Sequence, residues 1–143
     1  MLFLDHDGDS RIVFSTLESF LGAVRKAIGT SGRLRSLHPE SGVLLADQPG
    51  LNSLVAGLYD GNYDCDGPDV LLSLIPSLDL LDKELLQRLV VDRNFYLCEA
   101  VGNAIASRPR LDLKPIAAAC QQHTHPQAAQ AGARAMAAIA ALQ

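Results

Sequence analysis

The sequence predicts a mainly α fold: a short α-solenoid of antiparallel helix pairs, preceded by an N-terminal β-hairpin and one helix. Three observations predict it. From residue 50 onward, apolar residues recur at helical spacing in one run after another. Most of these runs follow a residue able to cap a helix, or end at proline. Two of them, FYLCEAVGNAIA (95–106) and AQAGARAMAAIA (129–140), superpose at an offset of 34, a period typical of helical repeats.

At the front, Leu2-Phe3-Leu4 and Arg11-Ile12-Val13-Phe14 are β-favouring runs around the polar stretch 5–10, the pattern of a hairpin with a longer loop. Ser15-Thr16-Leu17-Glu18 then fits a capping box, with Ser15 as cap and Glu18 reaching back. Leu17, Phe20, Leu21, Val24 and Ile28 make the expected buried face of a helix closed by Gly29. Residues 30–49 are rich in Gly, Ser and Pro and read as a connection, with a short strand at Gly42-Val43-Leu44-Leu45. The expected organisation is therefore 1–29, 30–49 and 50–143 within one compact unit.

In the repeat region, Leu51, Leu54, Val55 and Leu58 mark one helix, and Val70 to Leu78 a second segment interrupted by Pro76. Asp82 caps a helix that buries Leu85, Leu86, Leu89 and Val90. Asn94 caps the next, with Leu97, Cys98, Val101, Ala104 and Ile105 inward and Pro109 beyond its end. Asp112 opens a short helix containing Ile116, Ala119 and Cys120. Thr124 or His125 precedes the last, whose stripe is Gly132, Ala135, Met136, Ile139 and Leu142.

VVDRNFYLCEAVGNAIA and THPQAAQAGARAMAAIAAL resemble the second helices of HEAT-like repeats, with a small-residue face ending in an Ala-Ile or Ala-Leu pair. The likeness covers roughly residues 82–143 and implies a short HEAT-like solenoid. FLDHDGDSRIVFSTLESFLGAVRKA, within about the first 28 residues, is similar to the closing strands and terminal helix of a SUKH-superfamily domain. Both resemblances imply a bacterial immunity protein that neutralises a cognate toxin.

Hydrophobic residues make up 48% and charged residues 20%, so the chain can bury a core. A net charge of −4 argues against a nucleic-acid partner and for a basic protein surface. Cys65, Cys98 and Cys120 form no CxxC pair and read as free thiols of a reducing compartment. MLFLDHDGDS lacks the regions of a signal peptide, and no apolar run is long enough to span a bilayer. A cytoplasmic protein with no membrane contact is expected. The sequence leaves its oligomeric state open.

Two acidic stretches invite a calcium reading. In DHDGDSRIVFST, Asp5, Asp7 and Asp9 occupy positions 1, 3 and 5 of an EF-hand loop, but Ser10 replaces the turn glycine and Thr16 the bidentate glutamate. A hairpin turn accounts for the same residues. In YDGNYDCDGPD (59–69), Asn62, Asp64, Asp66 and Gly67 match positions 1, 3, 5 and 6, and Ser73 stands at position 12. Cys120, His123 and His125 have no second ligand pair to close a zinc site. No cofactor and no metal are expected. Nucleophile-elbow, P-loop, dinucleotide and zinc-protease motifs are missing, so an enzyme is not expected. Tyr59, Asp60, Tyr63, Asp64 and Asp66 combine aromatic anchors with charge and are the expected partner-binding residues, with Asp5, Asp7 and Asp9 as a second patch. The alternatives are a calcium-binding regulatory protein using these loops and a scaffold subunit.

Overall fold

The computed structural model of the chain describes residues 2–3, 10–39, 42–61 and 67–143. It is mainly helical. The front carries a small antiparallel pairing of β1 (Leu2–Phe3) with β2 (Arg11–Ile12), in the register Leu2 to Ile12 and Phe3 to Arg11. Asp5, Asp7 and Asp9 lie outside the described residues. Arg11 is buried, and a buried guanidinium must be hydrogen-bonded. Its Nε and an Nη donate to the Pro39 carbonyl at 3.1 and 3.0 Å, and the same Nη lies 3.3 Å from His38 Nδ1.

Residues 42–45 are not the expected strand. Gly42 lies against Pro76 and Ser77, where a Cβ would stand 2.8 Å from Pro76 Cβ and Ser77 Oγ. This close approach lays the segment on the turn at 75–77. It makes one strand-like bond, Val43 N–H to Ile12 O at 3.0 Å.

Helix α1 (Leu17–Gly29) starts one residue later than expected, because Thr16 rather than Ser15 is the cap. Thr16 is extended, its Oγ1 accepts from Ser19 N–H at 3.1 Å, and Ser19 Oγ accepts from Thr16 N–H at 3.3 Å. Ser19 thus closes the box that Glu18, one position early, does not. Ser31 beyond the helix takes φ 51. The expected inward face is also rotated. Phe20 meets Phe14 edge-on at 5.6 Å and Ala27 is buried, whereas Leu17, Leu21 and Ile28 are 66%, 48% and 76% exposed. The helix packs on the 3-10 turn Leu34–Leu37 through its Ala27 side, so the leucine stripe points away from the core.

Asp47 caps α2 (Gln48–Asp60) by accepting from Gly50 N–H at 2.9 Å. Gln48 fixes this end of the core: its Nε2 donates to the Leu45 and Ser77 carbonyls, both at 3.0 Å, and its Oε1 accepts from Asp79 N–H at 2.8 Å. α3 (Gly67–Leu74) tightens into the 3-10 turn Ile75–Ser77 at Pro76, which has no N–H to continue a helix. Leu80 follows with φ 61, a costly conformation for a bulky residue, and its side chain is buried. Full burial of a leucine stabilises by roughly 2 kcal/mol, enough to offset a strain of that size.

The remaining helices are α4 (Lys83–Val90), α5 (Phe95–Ser107), α6 (Lys114–Gln121) and α7 (Pro126–Ala140). Asp82 and Asn94 cap α4 and α5, and all nine apolar positions expected inside these two helices are buried. α7 packs against α5 and α6, and α4 against α5 and α6. The core runs from Leu51 and Val55 through Leu71, Leu89 and Leu97 to Cys120 and Ile139.

Three expectations for this part are corrected. Asp112 does not cap α6; it lies in the 3-10 turn Leu111–Leu113, with its carboxylate held by Lys83 and Arg110. Leu142, expected in the packing stripe of the last helix, is exposed, since it lies past the end of α7. The helix starts also fall at a different interval. Lys83 to Lys114 and Phe95 to Pro126 each span 31 residues, against the 34 of the sequence superposition. Three residues are close to one helical turn, and alanine-rich helices match themselves almost as well one turn out of register.

Among the described residues, no helix is long and apolar enough to cross a membrane.

Candidate functional site

The acidic loop expected to grip a partner leaves from the C-terminal end of α2. That helix ends where Gly61 N–H closes on the Gly57 carbonyl at 3.0 Å. Tyr59 and Asp60 occupy its last turn and are the two expected site residues the structure describes here. Tyr63, Asp64 and Asp66 lie outside the described residues.

Tyr59 is half-buried and tied to the end of α4. Its hydroxyl donates to Asp92 Oδ2 at 2.8 Å and to the Arg88 carbonyl at 3.3 Å. The Arg88 guanidinium carbon lies 5.0 Å from the centre of the Tyr59 ring, a cation–π arrangement. The same guanidinium pairs with Asp60, which is exposed. Asp92 passes the linkage on: its Oδ1 accepts from Asn94 N–H at 2.7 Å, and Asn94 Oδ1 in turn accepts from Tyr96 N–H at 3.2 Å. One chain of hydrogen bonds thus joins the end of α2 to the start of α5. Tyr59 ties the last turn of α2 to the end of α4, and Asp60 is paired with Arg88 at the surface.

Nothing in the local sequence singles out Arg88 and Asp92. Their four-residue spacing is ordinary for a helix end, and Tyr59 lies 29 and 33 residues away from them in sequence. No local pattern reports such a contact.

A second charged cluster joins the start of α4 to the 3-10 turn before α6. Asp112 accepts from Lys83 at 3.0 Å and from both arms of Arg110 at 3.0 and 2.8 Å. The Lys83 hydrogen bond, with help from Arg110, holds the Asp112 carboxyl below its usual range. Arg108 donates to the Pro76 carbonyl at 2.7 Å; burial lowers its pKa, partly offset by Asp79.

The suspected zinc residues are engaged otherwise. Cys98 and Cys120 are buried, and Cys120 Sγ lies 3.8 Å from the Cys98 carbonyl. A side-chain hydrogen bond between the two thiols, reinforced by burial, pushes the Cys120 thiol up, and the same thiol–thiol bond lowers that of Cys98. His123 Nδ1 accepts from His125 N–H at 3.0 Å, and the His125 ring stacks on Phe95. Among the described residues, no three His, Cys, Asp or Glu side chains gather in a way that could hold a metal.

No family model, no curated protein and no solved structure matches the chain.

Proposed function

We propose that the chain is a protein-binding module of the immunity type, which neutralises a cognate toxin by covering it and performs no chemistry of its own. It is built as a short HEAT-like stack of antiparallel helix pairs. The observation that carries this reading is the recurrence of α4 and α5 as α6 and α7 at one interval of 31 residues, with like helices side by side. Such a stack buries one face of each pair against the next and leaves a continuous outer surface for a partner.

The acidic edge supplies the recognition. Asp60, Tyr63, Asp64 and Asp66 meet a basic surface, with Asp5, Asp7 and Asp9 as a second contact, and complementary charge speeds the encounter. Tyr59 acts from behind: locked to Asp92 and Arg88, it keeps the loop base rigid, which lowers the ordering cost of binding. The partner meets the chain in the cytoplasm.

Affinity capture with the tagged chain, run with and without EDTA, followed by calorimetry on the purified partner, tests this. The expected result is one stoichiometric basic protein, retained in EDTA, whose affinity falls about tenfold or more in Tyr63→Ala/Asp64→Ala. An unchanged affinity removes the loop from the interface, and loss of the partner in EDTA favours a calcium-dependent protein instead.

A further inference from the structure

The exposed face of α1 carries a pattern that is complementary to itself. Leu17, Glu18, Leu21, Gly22 and Arg25 line a shallow open depression of about 570 Å³. Leu21 is a knob that is half exposed, and a Cβ on the neighbouring Gly22 would meet nothing within 4 Å. Glu18 and Arg25 flank them, one acid and one base, three residues to either side of that pair. Leu17 and Ile28 extend the apolar surface toward the two ends of the helix. The opposite side, with Phe20 and Ala27, packs on Phe14 and the 3-10 turn Leu34–Leu37.

We propose that this face is a homodimer interface, in which α1 meets α1 of a second copy antiparallel about a twofold axis between Leu21 and Gly22. An antiparallel pairing sends position i to a partner position such that the two numbers have a fixed sum. Setting Leu21 on the partner's Gly22 sets Glu18 opposite the partner's Arg25, and by symmetry Arg25 opposite the partner's Glu18. Each copy thus offers one knob, one hole, one acid and one base, and the twofold axis satisfies all four twice over. That is what an isologous interface requires.

A single 13-residue helix buries less than the roughly 1,600 Å² of a standard interface. Association is therefore expected in the range of about 10–100 μM. The inference is independent of the toxin-binding reading, which uses the end of α2.

Sedimentation velocity of the full chain from about 10 μM to 1 mM tests it, with unfolding curves confirming that each variant is folded. The wild type is expected to show a concentration-dependent monomer–dimer equilibrium. Glu18→Arg alone and Arg25→Glu alone each place like charges opposite one another twice, and each should weaken the dimer about tenfold. The double variant Glu18→Arg/Arg25→Glu should restore it to within about threefold of the wild type. Gly22→Leu should abolish it by filling the hole. A monomer throughout the range overturns the proposal, as does a dimer indifferent to both single reversals. A monomer that binds phosphatidylserine vesicles, and loses that binding in Leu21→Asp, also overturns it and gives the face to a membrane surface.

Discussion

Gly102 of α5 faces Ala131 of α7 with no room for a side chain between them: a Cβ on Gly102 would stand 2.9 Å from Ala131 Cβ and 3.0 Å from its carbonyl carbon. Gly132 is tighter still toward α6, where its Cβ would lie 2.5 Å from the Cys120 carbonyl carbon. Backbone approach at Gly102 brings α7 onto α5, and at Gly132 it brings α7 onto α6. Overpacking a core by one methyl costs about 1–3 kcal/mol when side chains can yield, and more when the obstacle is backbone. Gly132→Ala is therefore expected to destabilise the protein by about 3 kcal/mol or more, and Gly102→Ala by about 1–3 kcal/mol. Urea unfolding measures both, and equal midpoints for Gly132→Ala and wild type would refute the close crossing.

The role given to Tyr59 is separable from partner binding. Tyr59→Phe keeps the ring under Arg88 but removes the donor to Asp92. A hydrogen bond to a charged acceptor contributes about 1.5–3 kcal/mol, and partial exposure here brings the expectation to about 1–2 kcal/mol. Asp60→Asn breaks only an exposed ion pair and should change stability by about 0.5 kcal/mol or less. Thermal unfolding of the isolated chain reads both. A Tyr59→Phe variant as stable as wild type would return Tyr59 to the role of a free anchor.

The thiol pair predicts an alkaline limb. The unfolded chain releases both thiol protons near the ordinary value of 9.0, whereas the native chain retains that of Cys120. The unfolded state then binds fewer protons than the native state, so stability falls as pH rises above 9.0. The lowered Cys98 value acts in the opposite sense only below that pH. Subtracting the stability profile of Cys120→Ala from that of the wild type should isolate the fall. In a Cys65→Ser background, both buried thiols should also react with iodoacetamide only as fast as the protein opens.

Much of α4 and α5 is legible in the sequence. Asp82 and Asn94 lie next to apolar runs with a clean helical period, so cap and core face come from one local pattern. α1 is periodic too, yet periodicity gives only the existence of an apolar face and not what covers it. The sequence reads Leu17, Leu21 and Ile28 as core because nothing local reveals that α1 rests on its Phe20 and Ala27 side. The Thr16 cap differs from the Ser15 reading by one residue because two adjacent hydroxyls satisfy the same motif, and the N3 serine decides between them. Tyr59 and Asp60 are legible as candidates by composition, but their lock onto Arg88 and Asp92 is a contact between distant segments.

The central claim is that the chain silences a toxin by binding it. The most direct test is to express the captured partner in a sensitive bacterium with and without this chain, and to follow growth. The account predicts that the partner alone arrests growth, and that the wild-type chain restores it. An equally folded Tyr63→Ala/Asp64→Ala/Asp66→Ala variant should not. Growth unaffected by the partner, or arrest that persists with the wild-type chain at matched expression, would contradict it.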